Sequence, residues 1–266
     1  MRIISINLNG IRSAANKGFY DWLKQQDAEF VCLQELKAQA NNMSDEMLQP
    51  EGYLGYFHYA EKKGYSGVGI YSKRPADKVI EGLGYTDIDT EGRYLEAQFG
   101  NLSVISLYLP SGSSGEARQS LKFSVMDRFY PHLAELKASG REVVICGDWN
   151  IAHQKEDLKN WRGNQKNSGF LPEERAWFSQ VLNDQGWVDV YRHLHPDATE
   201  ACYTWWSNRG QAWTKNVGWR IDYQIATPAL AHTAISCEIY KEQRFSDHAP
   251  LIVEYAKTKQ LQHNKP

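Results

Sequence analysis

Hydrophobic residues in this chain fall mostly into short blocks, alternating or continuous, bounded by Gly, Pro, Asn or Asp, which is the pattern of strands. Seven strands are predicted: residues 2–8, 30–34, 67–72, 102–109, 143–147, 220–226 and 251–255. Two stretches carry a helical period instead. Between 116 and 139, Leu121, Val125, Phe129, Leu133 and Leu136 recur on one side. Ser113 with Glu116 reads as a capping-box start, Gly140 as a stop, and Pro131 is expected to bend or split the helix. A second helix begins at Pro172, a residue suited to the first turn, followed by Glu173 and Glu174 where the helix dipole favours acids. Strands outnumber helices, and helices separate the strand groups in both halves, so the class is α/β or α+β with large sheets. No stretch reads as a linker or low-complexity segment. One domain over 1–256 is expected, with 257–266 as a frayed tail almost free of apolar residues.

Composition adds little to this until charge is considered. The 266 residues are 42% hydrophobic and 23% charged, an ordinary globular balance in a chain long enough to bury a large core. No apolar run approaches the ~18 residues of a membrane span. Met1 to Asn7 enters an apolar alternating stretch at once, so no cleavable leader is expected. Cys32, Cys146, Cys202 and Cys237 stand far apart without metal-type spacing, which suits a reducing cytoplasm. The 30 Lys+Arg against 32 Asp+Glu give a net charge of −2, where a simple nucleic-acid binder is usually basic. Taken alone, that charge favours a small-molecule enzyme. The 9 Trp and 15 Tyr pull the other way, because their rings stack on bases and sugars as well as fill cores.

The chemistry gathers at strand ends. Asn7 and Asn9 share a face after Ile3 and Ser5, Glu35 follows the 30–34 run, and Tyr108 follows Val104 and Ser106. Asp148 and Asn150 share a face after Val144 and Cys146, and Asp222 lies opposite Ile221, Tyr223 and Ile225. Any one strand end is polar because it reaches solvent. Jointly, carboxylates, amides and a phenol converging on one edge make an oxygen-rich pocket suited to a hard divalent cation. In Ser246-Asp247-His248, neighbours in extended chain point apart, so Asp247 is poorly placed to orient the imidazole, and Asp222 is the candidate. No His-Glu-x-x-His helix, Walker loop or Gly-x-Ser-x-Gly elbow occurs. Residues 64–69, Gly-Tyr-Ser-Gly-Val-Gly, lack dinucleotide spacing and lead into a strand. From 205 to 220 the chain holds Trp205, Trp206, Trp213 and Trp219 with Arg209, Lys215 and Arg220 and no acid. Such a loop suits a nucleic-acid backbone with an exposed sugar, or else packs its tryptophans into a core. Lys155, Lys159, Arg162 and Lys166 continue the basic theme.

Together, Asn7-Leu8-Asn9-Gly10, Leu33-Gln34-Glu35, the 64–69 turn, Tyr108-Leu109-Pro110, Gly147-Asp148-Trp149-Asn150, Lys166-Asn167-Ser168-Gly169-Phe170, the 216–223 segment and Ser246-Asp247-His248 resemble the exonuclease III family of apurinic/apyrimidinic endonucleases. The motifs occur in family order over nearly the whole chain. The resemblance implies a four-layered α/β sandwich, two packed mixed β-sheets flanked by helices, with the site at one end. It implies Mg²⁺ or Mn²⁺ and cleavage of duplex DNA 5′ to abasic sites, leaving a 3′-hydroxyl, with 3′→5′ exonuclease and 3′-end trimming also found in the family. A monomer acting on abasic sites or 3′ ends, without a membrane, is expected.

Carried over by the resemblance, Glu35 is the principal metal ligand, with Asn7, Asp148, Asn150, Asp247 and His248 at or near the metal. Asp148 generates the attacking hydroxide, held by Asn150, while His248 paired with Asp222, and Tyr108, contact the phosphate. Trp205, Trp219 and Ile221 form the abasic-sugar pocket beside Gly169, with Arg209, Asn167 and Tyr65 as further DNA contacts. Some relatives carry an arginine soon after the Tyr-x-Pro segment, where this chain reads Ser111-Gly112-Ser113-Ser114. Three other readings stay open: an enzyme acting mainly on 3′ ends, a phosphatase on inositol phosphate or phospholipid, and a DNA-binding module whose acids are structural.

Overall fold

The computed structural model describes residues 1–256; the expected tail at 257–266 lies outside them. The strands are β1 (Arg2–Asn7), β2 (Phe30–Gln34), β3 (Leu54–His58), β4 (Val68–Ser72), β5 (Lys78–Glu81), β6 (Tyr94–Phe99) and β7 (Leu102–Tyr108). They continue with β8 (Glu142–Asp148), β9 (Val188–Asp189), β10 (Trp205–Trp206), β11 (Gly218–Trp219), β12 (Asp222–Ala226), β13 (Ala234–Ile239) and β14 (Leu251–Tyr255). One six-stranded sheet runs β13-β14-β1-β2-β4-β3, the other β5-β6-β7-β8-β12-β9, and β10-β11 is a separate ribbon. Both sheets are mixed: β1 and β2 are parallel, as are β7 and β8, and their other partners are antiparallel.

The sheets pack face to face through Ile3, Phe30, Cys32, Val68, Ile70, Val104, Val144, Cys146 and Val253. Short helices at Ile11–Asn16 and Phe19–Leu23 cover the outer face of the first sheet through Ile11, Phe19, Tyr20 and Leu23. Helices Glu116–Ala138 and Pro172–Asn183 cover the second through Val125, Phe129, Leu133, Trp177 and Phe178. This is the four-layered sandwich that the resemblance implies.

The inner face of the sandwich is graded along the strand direction. Side chains alternate, so Ile3, Ser5 and Asn7 share one face of β1, and Phe30, Cys32 and Gln34 one face of β2. On the second sheet the series are Val104, Ser106, Tyr108 and Val144, Cys146, Asp148, with β12 running the other way from Asp222 through Gln224 to Ala226. Every series is apolar at one end and polar at the other, and register aligns the polar ends: Asn7 opposite Gln34, Asp148 opposite both Tyr108 and Asp222. Some of the buried polar groups between are bonded across the layers, although Gln34 Oε1 finds no partner among the described residues. Gln34 Nε2 donates to Ser106 Oγ at 3.0 Å, and Ser106 Oγ donates to the Leu33 carbonyl at 2.8 Å.

Several local expectations change. Strands β3, β5, β6, β9 and β13 lack a clean apolar alternation and escape the sequence reading; most lie on or next to sheet edges, where burial pressure is weaker. The helix at Glu116–Ala138 is one run of 23 residues through Pro131, held by its buried face. Gly115, not Ser113, precedes it, and the Ser113 hydroxyl bonds Ser111 Oγ instead of capping. β12 starts at Asp222 rather than 220, because the Arg220 amide is drawn to the Asp157 carbonyl.

Candidate active site

The polar ends of the strands open into a cavity of about 590 Å³. Glu35, Tyr108, Asp148, Asn150, Asn167, Gly169, Trp205, Trp219, Ile221, Asp247 and His248 all line it, so eleven of the fifteen residues that the resemblance assigns to the site meet at one place, with Asn9 beside them. Asn7 and Asp222 lie buried just behind its floor. Tyr65 and Arg209 do not line it. Tyr65 belongs to a neighbouring hollow with Lys62, Glu91, Arg93 and Arg118 that shares Tyr108 and Ser111 with the main cavity. Arg209 is exposed on the loop after β10.

Asn7 Nδ2 donates to Glu35 Oε1 at 2.8 Å and to Asp148 Oδ2 at 2.9 Å, while its own oxygen accepts the Asn9 amide at 2.9 Å. It therefore spaces the two carboxylates and presents nitrogen, not oxygen, toward them. Just beyond their strands Glu35 (φ 51°) and Asn150 (φ 52°) adopt left-handed backbone, uncommon for residues with a Cβ and typical of chain held for a purpose. The Asn150 amide donates to Asp148 Oδ1 at 2.9 Å, and its side-chain nitrogen donates to the Leu109 carbonyl, which leaves its Oδ1 for the cavity.

His248 Nδ1 donates to Asp222 Oδ2 at 2.8 Å, and Asp222 Oδ2 also accepts the Thr204 hydroxyl at 2.7 Å. The other ring nitrogen lies 3.7 Å from Asp148 Oδ2. Asp247 is occupied elsewhere: Oδ1 accepts from Asn9 Nδ2 and Ser246, and Oδ2 from Trp205 Nε1 at 3.1 Å.

Charge is concentrated and incompletely balanced. Burial, then repulsion from Asp222 and Glu35, pushes Asp148 up to about 8 despite the neighbouring His248. Burial pulls the His248 imidazole down, but Asp222, Asp148 and Asp247 outweigh it and raise it to about 10, so it is held protonated. Burial raises the Tyr108 phenol well above its usual value, with Glu35 adding to it and Arg93, stacked 4.8 Å over the ring, opposing. Glu35, Asp148 and His248 each offer a ligand atom within 4.8 Å of the others. Two carboxylates spaced by an amide, one of them driven toward protonation by its neighbours, fit a hard divalent cation that would relieve that repulsion.

One wall is apolar. Trp205 and Trp219 pair directly across the β10-β11 ribbon, their rings edge to face at 6.3 Å, above Ile221. Alternation sends Trp206 to the other side of the ribbon, where it is buried with Trp213 at 4.5 Å. The tryptophan-rich loop is thus half cavity wall and half core. Gly169 has φ +91°, and a Cβ there would stand 3.2 Å from both the Asn150 carbonyl and the Trp219 ring, so backbone shape as well as room demands glycine.

The basic residues of the sequence reading divide. Arg220 is 1% exposed and held by Asp157 and Asp189, so it serves the fold and not a ligand. Lys159 pairs with Glu200 and Lys155 with Glu156. Lys37, not singled out in the sequence, lines the cavity with its ammonium 3.0 Å from Glu35 Oε2. Its position two residues past Glu35 was the available signal, although left-handed backbone at both Glu35 and Lys37 means that strand alternation does not bring them together. Thr204 and Lys122 also escaped notice, Gln34 stood only as part of a motif and Glu174 only as a helix-start acid, because each acts through burial that spacing does not show.

Comparison with known proteins agrees with this geometry. Residues 4–248 match the profile of the Endonuclease/Exonuclease/phosphatase family. An exodeoxyribonuclease of Bacillus subtilis is 39% identical over 94% of this chain and 98% of that protein. The DNA repair nuclease APEX1 of Danio rerio is 38% identical over 94% of this chain and 81% of its own length. The structure of an AP endonuclease from Archaeoglobus fulgidus superposes with a TM-score of 0.88 at 28% identity, covering 96% of this chain and 99% of that one.

Proposed function

The chain belongs to the endonuclease/exonuclease/phosphatase family, and on that premise we propose that it is a DNA-repair nuclease that hydrolyses the phosphodiester 5′ to abasic sites in duplex DNA, leaving a 3′-hydroxyl. The observation that carries this reading is the meeting, in one cavity, of an under-compensated carboxylate cluster with an apolar Trp205-Trp219-Ile221 wall. The cluster suits phosphate chemistry, and the wall suits a sugar turned out of the helix without a base. An inositol-phosphate substrate, polar on every side, has no use for that wall.

Glu35 and Asp148 are the residues that would hold the metal, which we take as Mg²⁺ or Mn²⁺. A bound cation would neutralise charge on the phosphate oxygens and favour the carboxylate form of Asp148. Asp148 accepts the proton of the attacking water, oriented by Asn150 Oδ1. Protonated His248, fixed in tautomer and direction by Asp222, donates toward a non-bridging phosphate oxygen as charge develops there. Tyr108 supplies a second hydroxyl donor from the adjacent strand end, and the 3′-oxygen released as its bond to phosphorus breaks takes up a proton from solvent to become the 3′-hydroxyl. Lys62 and Arg118 beside Tyr108 offer cations to the flanking phosphates, while Arg93, buried against Glu91, stiffens the hollow.

A second reading has its own support: the exodeoxyribonuclease of Bacillus subtilis points to work on 3′ ends by the same site, either removing nucleotides or trimming blocked ends. The protein acts as a monomer in the cytoplasm, where its four buried, unpaired cysteines stay reduced. Among the described residues no helix is long and apolar enough to cross a membrane.

A labelled duplex with one abasic analogue tests the reading. Nicking 5′ to the lesion with Mg²⁺, abolished by excess EDTA, is the expected result. No nicking alongside rapid hydrolysis of an inositol phosphate would replace it with the phosphatase reading.

A further inference from the structure

Lys122 and Glu174, from the two long helices, are both fully buried behind the cavity and form an ion pair with Nζ 2.6 Å from Oε1. An isolated buried pair adds little to a fold, since desolvation offsets attraction, so its remaining contacts matter. Lys122 Nζ also donates to the Asn150 carbonyl at 2.6 Å. Glu174 Oε2 accepts the Gly169 amide at 2.6 Å and the Leu171 amide at 3.0 Å, and Gln119 donates to Oε1. The pair thus grips two separate cavity walls: the left-handed turn at Asn150, whose amide holds Asp148, and the loop ending at Gly169, which backs Trp219.

We propose that Lys122 and Glu174 are positioning residues for catalysis, a buried clamp that fixes the Asp148-Asn150 turn against the Asn164-to-Gly169 loop. Neither reaches the substrate. Lys122 holds Asn150 in its strained conformation through the carbonyl, leaving Asn150 Oδ1 aimed into the cavity. Glu174 satisfies two amides that would otherwise face the helix start unpaired. Burial pulls Lys122 below the usual lysine value while Glu174 and Asp148 hold it up, so its charge is also felt at the site.

The inference rests on the nuclease reading, and the test separates the two. The double variant Lys122→Met with Glu174→Gln leaves no uncompensated charge and keeps an acceptor for Gly169, but removes the donor to the Asn150 carbonyl. Expected is a folded protein whose kcat on the abasic duplex falls by about tenfold or more while KM stays within twofold, because an interaction that orients the reacting groups has gone. Single Glu174→Gln, which must abandon either Lys122 or Gly169, gives a smaller fall and serves if the double variant does not fold. Hydrogen exchange, which needs no substrate, should quicken at the Asn150 and Gly169 amides and stay unchanged at those of β8. Unchanged kcat in a folded variant, or unchanged exchange at both amides, overturns the clamp. A parent protein that does not nick the duplex overturns the nuclease reading instead, and exchange then decides the clamp alone.

Discussion

Two clusters of buried acids sit in this molecule about equally far from water, and they behave in opposite ways. Asp157 is 0% exposed, with Arg220 Nε at 2.8 Å and Arg192 at 2.6 Å, and Arg220 also reaches Asp189 at 2.8 Å. Burial pushes the Asp157 carboxyl up, but Arg220 and Arg192 outweigh it and hold it below the usual range. Asp148 is 1% exposed and faces Glu35 and Asp222; burial and their repulsion outweigh His248 and the Asn150 amide, so it rises to about 8. Burial is common to both. What separates a structural acid from a candidate catalytic one is whether the fold supplies its counter-charge or leaves that to something that binds.

The comparison can be broken first at Asp148. Asp148→Ala is expected to lower cleavage of the abasic duplex by on the order of 10²–10⁴-fold while leaving much of the DNA affinity, read by single-turnover kinetics and a binding titration. Normal cleavage would mean that the acids here are as structural as those around Arg220. Arg220→Ala makes the opposite kind of loss. Removing one partner of a buried network is expected to destabilise the fold by about 3–5 kcal/mol in urea denaturation. At temperatures where the variant stays folded, its kcat should be little changed.

Asp222→Asn strips His248 of its main counter-charge. Its imidazole, now raised to about 10, should titrate far lower by NMR, with cleavage falling accordingly. If the two act as a unit, Asp222→Asn added to His248→Ala costs little more than His248→Ala alone.

The pH dependence of the metal-free protein is a subtler consequence. His248 is raised above its ordinary 6.5, so the stability it contributes is complete below that pH and is lost as pH climbs through about 10. Asp148, raised from 3.8 to about 8, holds a proton in the folded state that the unfolded chain has already released, so over that range stability also falls as pH rises. Tm without metal should therefore decline from mildly acidic to alkaline pH. Added Mg²⁺ should restore more of it on the alkaline side, where Asp148 has no proton to give up. A rise in metal-free Tm over that interval would show the cluster already compensated. The smallest effect belongs to Arg209, exposed and away from the cavity: Arg209→Ala should weaken DNA binding only slightly and reduce the salt slope by about one phosphate contact.

The Asp148 and Asp157 clusters also mark how far sequence reading goes. Asp148 stands out because it ends an apolar strand, where a core needs no acid, and four other strands end the same way. Asp157 and Arg220 give no such signal: one lies in a short turn, the other beside tryptophans in a stretch free of acids, which made Arg220 look like a DNA contact. Their partners come from residues 63 positions apart, and only folding brings them together. Tyr65 shows a related limit: its motif placed it near the site, but Arg93 and Arg118 hold it in the adjoining hollow and not in the cavity itself.

The net charge of −2 is reread in the same light. Glu35, Asp148, Asp222 and Asp247 sit together at the cavity, where a cation and a phosphate would set the balance, so the acids say little about affinity for DNA elsewhere on the surface.

By itself the sequence determined the strands of the sandwich centre, the polar residues at their ends and the two long helices, because strand alternation and helical periodicity are local properties of nearby residues. Only the tertiary structure decided which acids lack a counter-charge, which tryptophans face the cavity, and that Lys122 and Glu174 stand behind it. Those depend on register between strands and on the packing of helices against sheets, where the energy of a charge is set by neighbours far away in the chain.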